Sequence, residues 1–346
     1  MAHLGKWKIT SPVATLLAFL LTLAAGGIVT RPTQSPEGGR NNGRARPDPA
    51  ELAALGITVN SIESARSDKF TGGRIERAAF RAGDPRIAIT VDIPAFRLTL
   101  WQDRKEVATY QIGVGMKDFP LPVGERVVNV ISFNPSWIPP DSDWVYGRSN
   151  VRPHEVIKAS DPRNPLGKIK IPLGDSFLIH EAAKRSDIGG LVSHGCVRML
   201  RRDLFDLAEK IIAARGLPVS AKELKLARTT SRRKDVPLDA PLPVDLNYDT
   251  QVIEGGVLRL YPDVYDNDTN TVENLRLELR SSGVDDARLD DRTLKEMLKR
   301  VSRRYAFVVS VADLKAGRAL TAGRNVPLTG NAQKKPEPQT ARTKHL

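Results

Sequence analysis

Cysteine is almost absent from this chain: there is one, Cys196, in 346 residues. A lone cysteine cannot close an intramolecular disulfide, so it has to be explained by packing or by reactivity. Aromatic residues are scarce at 5%, and histidine occurs only five times. Internal repeats are lacking, and so is any RNA- or DNA-binding signature. The net charge of +13 is spread along the chain and not gathered into a stripe, which sets nucleic acid aside as a partner. A basic chain still suits anionic surroundings, and membrane headgroups or a cell-wall polymer remain.

What is present begins with the N-terminus. Lys6 and Lys8 precede an uncharged run from Ile9 to Thr30 that contains Val13-Ala14-Thr15-Leu16-Leu17-Ala18-Phe19-Leu20-Leu21. A positive segment followed by an apolar one is an export signal, with Ala24-Ala25-Gly26 as small residues for cleavage. The run also approaches the ~20 residues that span a bilayer, so residues 9–30 serve equally as an uncleaved inner-membrane anchor that orients the remainder outward. The expected location is the periplasm or cell envelope. Exported proteins that use cysteine structurally carry it in pairs. An unpaired thiol there is a liability unless it reacts.

Composition divides the rest. Residues 31–85 hold a Pro/Gly/Asn/Arg linker and an unassigned segment. Residues 86–217 show short β-branched runs, Ile87–Val91, Arg97–Trp101, Val107–Val114, Val127–Phe133 and Phe177–His180, divided by turn residues and by the Pro-rich loop around Trp137. Leu204, Leu207, Ala208, Ile211 and Ile212 then mark one face of a helix that begins near Asp203 and stops at Gly216. Periodicity alone gives a β-rich domain with one packed helix. Residues 218–243 read as a basic, Pro-rich connector, 244–321 as a small α+β appendage with a helix over Asp291–Arg303, and 322–346 as a disordered tail.

The chemistry concentrates in Ser193-His194-Gly195-Cys196-Val197-Arg198, with His180 upstream at the end of an apolar strand. Nucleophilic acyl transfer needs a thiolate, a base within hydrogen-bond reach, a group that fixes the base's tautomer, and N–H groups aimed at the oxyanion. Cys196 is the nucleophile and His180 the base. Gly195 lets the backbone approach a substrate carbonyl, and His194 either binds the oxyanion or holds the loop. A zinc site built from His180, His194 and Cys196 is the rival use of these residues, but it lacks a fourth ligand and a familiar spacing. Arg198 is placed to contact a substrate carboxylate or to brace the loop, and Trp137 is either packing or a substrate platform.

These residues resemble the L,D-transpeptidases of bacterial peptidoglycan, the YkuD-type catalytic domain. The likeness lies in Ile179-His180, Ile188-Gly189 and Ser193-His194-Gly195-Cys196-Val197-Arg198-Met199. Supporting matches are Leu121-Pro122-Val123-Gly124, Asn134-Pro135-Ser136-Trp137 with Pro139-Pro140, and Asn164-Pro165-Leu166-Gly167. The resemblance implies a mainly β, sandwich-like catalytic domain. It also implies a cysteine acyltransferase that needs no cofactor and is acylated by carbapenems. The substrate it implies is a peptidoglycan tetrapeptide stem, whose third-residue carbonyl is attacked with loss of D-Ala. The acceptor is an amine of a second stem, giving a 3→3 cross-link, or the lysine of a lipoprotein. Water would make the chain a wall-peptide hydrolase, and a non-catalytic wall-binding scaffold is the third alternative. Ser193, Arg198 and Trp137 are the candidate substrate-binding residues, and the resemblance gives the backbone carbonyl of Glu181 to the orientation of His180. The family usually carries Gly at that last position, and a glutamate side chain there is expected either to alter substrate preference or to raise the His180 pKa.

Overall fold

The computed structural model describes residues 87–287 and 289–328. The expected export segment, linker and unassigned stretch before residue 87 lie outside the described residues, as does the chain beyond 328. Among the described residues no helix is long and apolar enough to cross a membrane.

Ten strands build the first part: β1 Ile87–Asp92, β2 Arg97–Gln102, β3 Lys105–Gln111, β4 Val114–Gly115, β5 Gly124–Phe133, β6 Ile169–Gly174, β7 Phe177–Glu181, β8 Leu191–Ser193, β9 Val197–Met199 and β10 Lys234–Asn247. Eight of them form one sheet in the order β3-β2-β1-β10-β5-β6-β7-β9, and β4 pairs with β8 in a small second sheet. The architecture is mainly β. β1 is buried along nearly its whole length, which is why it reads as a continuous apolar run and not as an alternating one.

β10 corrects the expectation of a connector. Pro237, Pro241 and Pro243 argue against a central strand because each lacks the N–H that a ladder needs. The chain nevertheless runs parallel to β1 and antiparallel to β5. The register with β5 slips between Pro237 and Leu242, a bulge that takes up part of the proline-rich stretch. Beyond the bulge, Leu242, Val244 and Leu246 fill the core. The connector residues also hold a short helix. Helices are α1 Asp143–Tyr146, α2 Arg201–Ala214 and α3 Ala221–Thr229. α2 buries Leu204, Phe205, Leu207, Ala208, Ile211 and Ile212. It starts two residues earlier than Asp203, which therefore sits in the first turn, where a carboxylate favours the helix dipole.

The long loop between β5 and β6 has a core of its own, made by Trp137, Val145, Val151, Ile157 and Leu166. The remaining elements are β11 Gln251–Glu254, β12 Val257–Leu260, α4 Val272–Ser281, α5 Asp291–Lys299, β13 Tyr305–Ser310, α6 Val311–Lys315, α7 Ala319–Ala322 and β14 Arg324–Pro327. Their four strands make an antiparallel sheet, β11-β12-β13-β14. Leu258, Leu260, Leu275, Leu279, Leu294, Met297 and Phe307 are buried against it. This is the α+β unit read from the sequence. It extends past 321, because β14 pairs with β13 where a disordered tail was the expectation.

One residue clamps the turn of the chain after β5. Asn134 sits at φ 49°, a left-handed conformation that Asn tolerates better than most residues. Its Nδ2 donates to the carbonyls of Ala227 (3.0 Å) and Arg232 (3.1 Å), tying the end of α3 to the sheet. Asn134→Ala should destabilise the fold by about 1–3 kcal/mol, chiefly through the buried Ala227 carbonyl left without its Asn134 partner. Urea unfolding measures this; an unchanged midpoint would show that the clamp carries no stability.

Candidate active site

The sheet brings the two halves of the motif together. β7 and β9 pair in parallel, with Ile179 opposite Val197, His180 opposite Arg198 and Glu181 opposite Met199. The nucleophile turn, 194–196, lies between β8 and β9 and is held from the side by residues 112–116. Gly113 and Arg198 exchange backbone hydrogen bonds of 2.9 and 2.8 Å, Val114 donates to Gly190 and Met116 donates to Ser193. Gly195 takes φ 99°, and a Cβ there would meet the Phe177 ring at 2.5 Å. Only glycine fits that bend. The Ser193 hydroxyl donates to the Cys196 carbonyl at 2.5 Å and closes the turn.

His180 is 2% exposed. Arg198 Nη1 lies 3.3 Å from its Nδ1 and 3.2 Å from the Glu181 carbonyl oxygen. A guanidinium can only donate, so Nδ1 carries the lone pair and the ring proton is on Nε2. The carbonyls of Pro165, Glu181 and Leu166 offer the ring hydrogen-bond acceptors. Burial, with the Arg198 charge second, holds the imidazole well below its usual range, against the pull of those carbonyls. Burial likewise pushes the Cys196 thiol up, while a hydrogen bond from the Leu178 backbone and the Arg198 charge oppose it. The thiol therefore reaches β7 at Leu178, two residues before the base, a strand rise of about 7 Å.

Arg198 favours a thiolate and disfavours an imidazolium. Desolvation of both groups favours thiol and neutral imidazole, against the mutual attraction that a charged pair would have.

His194 is not a free side chain. Its ring stacks on Trp144 at 4.4 Å and 15° and meets Phe119 edge-on at 4.7 Å and 65°. Trp144 in turn stacks on Trp137 at 6.3 Å, and the Arg148 guanidinium lies 5.5 Å from the Trp144 ring centre. Burial, then Arg148 and Arg198, lower the His194 pKa, so the ring is a neutral hydrogen-bond donor beside the nucleophile. Among the described residues the N–H groups of Gly195 and Cys196 donate to no other backbone group.

Several sequence expectations change. Trp137 is 6% exposed and belongs to the loop core, so Trp144 and Phe119, which sequence reasoning missed, are the aromatic rings at the site. The signal for Trp144 was a second tryptophan seven residues after the first in a chain poor in aromatics. Ser193 is 1% exposed and spends its hydroxyl on the turn. Arg198 is committed to His180 and Glu181, so it braces the base and does not wait for a substrate carboxylate. The Glu181 carboxylate does not raise the His180 pKa. Its Oε2 accepts from the Lys168 N–H (3.0 Å) and its Oε1 from Arg201 Nε (2.7 Å). It fills the space beside Gly167, and so holds the turn that supplies the Pro165 and Leu166 carbonyls. Among the described residues no group of three or more His, Cys, Asp or Glu converges as a metal site.

Comparison with known proteins places this arrangement. Residues 86–220 match the model of the L,D-transpeptidase catalytic domain. The Escherichia coli K12 protein "Probable L,D-transpeptidase YbiS" is 31% identical over 107 residues, 30% of this chain and 35% of that protein. "Probable L,D-transpeptidase YcfS" from the same organism is 24% identical over 207 residues, 57% of this chain and 64% of that protein. The chain thus spans about a third and just under two thirds of the lengths of these relatives. Among solved structures, the catalytic domain from E. faecium L,D-transpeptidase overlays with a TM-score of 0.31 at 15% identity, covering 48% of this chain and 100% of that one.

Two outcomes follow from the geometry. Alkylation of Cys196 by iodoacetamide in the free protein should climb with pH through and beyond the ordinary thiol range near 8.5. A high, flat rate between about pH 5 and 7 would instead reveal a standing thiolate–imidazolium pair. Glu181→Ala should slow acylation of Cys196 by a carbapenem about tenfold, whereas Glu181→Gln, which keeps an acceptor for Lys168, should slow it no more than about threefold. Stopped-flow quenching or intact mass measures both; equal rates in the three proteins would remove Glu181 from the support of the base.

Proposed function

We propose that this chain, whose residues 86–220 belong to the L,D-transpeptidase catalytic domain family, is a cell-wall acyltransferase that works through a Cys196 thioester. The observation that carries the proposal is a buried His180, braced by Arg198, on the strand that the Cys196 thiol touches. The substrate is a peptidoglycan tetrapeptide stem. As Sγ attacks the carbonyl carbon of the third residue, its proton passes to the His180 ring and the carbonyl π electrons move to oxygen. The His194 ring and the N–H groups of Gly195 and Cys196 are placed for that oxyanion. Collapse of the tetrahedral intermediate breaks the bond to the terminal D-Ala, whose nitrogen takes the proton from His180. The thioester is then attacked by an amine, which loses a proton to His180 and expels the thiol.

Arg198 has opposite effects on the two stages. It stabilises negative charge on sulfur and opposes positive charge on the ring, so the imidazolium is short-lived and the proton is released readily to the leaving amine. The Pro165, Glu181 and Leu166 carbonyls supply the compensating attraction.

The acceptor is a stem amine, giving a 3→3 cross-link, or a lipoprotein lysine, giving a tethered protein; both use the same first half-reaction. The apolar N-terminal run supports export to the cell envelope as the setting, cleaved or anchored. Intact-protein mass spectrometry after incubation with a disaccharide-tetrapeptide should show a thioester adduct and free D-Ala, both lost in Cys196→Ala. A folded protein with a reduced thiol that gives neither would move the chain to a wall-binding role. Products formed with amine present and with amine absent separate transfer from hydrolysis.

A further inference from the structure

The C-terminal α+β unit has no role in the chemistry above, yet one of its loops reaches the nucleophile turn. The loop follows β12 and is tightly self-braced. The Tyr248 hydroxyl donates to Asp263 Oδ1 (2.6 Å) and accepts from the Tyr265 N–H (2.6 Å), and the rings of Tyr248 and Tyr265 stack at 5.4 Å and 15°. Asp263 also accepts from the N–H groups of Asn267 (2.9 Å) and Thr269 (3.0 Å). From this frame two groups extend to the turn between β4 and β5. The Tyr265 hydroxyl accepts from the Leu121 N–H at 3.1 Å, and Asp266 pairs with Lys117.

That turn is the one that abuts the nucleophile. Met116 donates to the Ser193 carbonyl at 2.8 Å, and Phe119 donates to Met116 at 3.0 Å. A Cβ on Gly115 would meet the Phe119 carbonyl oxygen at 2.2 Å, the Leu121 nitrogen at 2.9 Å and the Gly195 Cα at 3.0 Å. The backbones of the turn and of the nucleophile loop are thus in direct contact. Phe119, 39% exposed, leans its ring on His194. Leu121 by contrast is 1% exposed, so its N–H has no water to turn to if Tyr265 withdraws.

We propose that Tyr265 and Asp266 of the C-terminal unit are positioning residues for the active site: they set the 116–121 turn, and through it the placement of Phe119 against His194 and of Gly195 beneath the oxyanion. The unit is then a built-in brace that shapes where a stem peptide lies, and its removal would cost substrate positioning before it cost the nucleophile. This rests on the acyl-transfer role proposed above for its kinetic consequence, and on geometry alone for its structural one.

The test compares Tyr265→Phe with wild type in the full chain, using two readouts. In the free protein, the ring resonances of His194 report the Phe119 contact through ring-current shifts. With a disaccharide-tetrapeptide, initial rates of D-Ala release report KM and kcat. Tyr265→Phe keeps the stack on Tyr248 but removes the acceptor for Leu121. It should displace the His194 signals and raise KM about threefold to tenfold, with kcat changed by less than about twofold. Arg280→Ala breaks an exposed ion pair to Asp286 within the same unit and should leave both readouts at wild-type values. If Tyr265→Phe does not fold, Lys117→Ala, which breaks a surface ion pair only, carries the same comparison. A folded Tyr265→Phe with wild-type His194 signals and wild-type KM overturns the proposal. Absence of D-Ala release from wild type would contradict the acyl-transfer role and leave the His194 spectra to decide the brace.

Discussion

The site depends on one buried cation. Arg198 is carried on β9 directly opposite His180 on β7, and its guanidinium donates to the Nδ1 of that histidine and to the neighbouring carbonyl of Glu181. A donor-only group against Nδ1 selects the tautomer with the ring proton on Nε2. The same charge keeps the ring from holding a proton at rest. Its Nε has no hydrogen-bond partner among the described residues, and its charge acts on Cys196 as well. Base, tautomer and resting protonation state therefore have a common origin in a strand pairing, and the strand pairing has its origin in the fold.

That fold assembles the site from distant pieces. Four segments meet around His180 and the Cys196 loop: β7 with His180, β9 with Arg198, the 112–116 run that hydrogen-bonds the loop from the side, and the 164–168 turn that supplies carbonyls to His180. Each is fixed by a different device. The Glu181 carboxylate holds the 164–168 turn through Lys168 and Arg201. Glycines at 115 and 195 allow backbone contact that any side chain would prevent. The stack of Trp137, Trp144 and His194 couples the site to the small core of the β5–β6 loop. Several polar groups near the site, among them Ser193, Arg198 and Glu181, are spent on hydrogen bonds within the fold.

Much of this was legible in the residues. The unpaired cysteine, the glycine before it and the histidine ending an apolar strand pointed to Cys196 and His180 as candidates, because the demands of acyl transfer on residue type are narrow, and the pairing of β7 with β9 brings their segments together. Local strands and the amphipathic helix α2 followed from short-range periodicity. What did not follow were the features set by tertiary contact. β10 was hidden by its prolines, since the bulge that accommodates them is a property of the pairing with β5. Ser193, Arg198 and Trp137 were given to substrate because sequence shows a side chain's chemistry and not what it already touches. Phe119 and Trp144 were missed because their partner, His194, lies far along the chain, and Glu181 was misjudged because its carboxylate is neutralised by Arg201 twenty residues on.

The central claim is that His180 is neutral at rest, protonated on Nε2 and unprotonated on Nδ1. Nitrogen-15 NMR of the free, full-length protein with labelled histidine tests it directly at neutral pH. The account predicts for His180 one pyrrole-like signal from Nε2 and one pyridine-like signal from Nδ1, the latter moved by Arg198→Met. Two protonated nitrogens would contradict it by showing an imidazolium at rest, and the proton on Nδ1 would contradict it by showing that Arg198 does not set the tautomer.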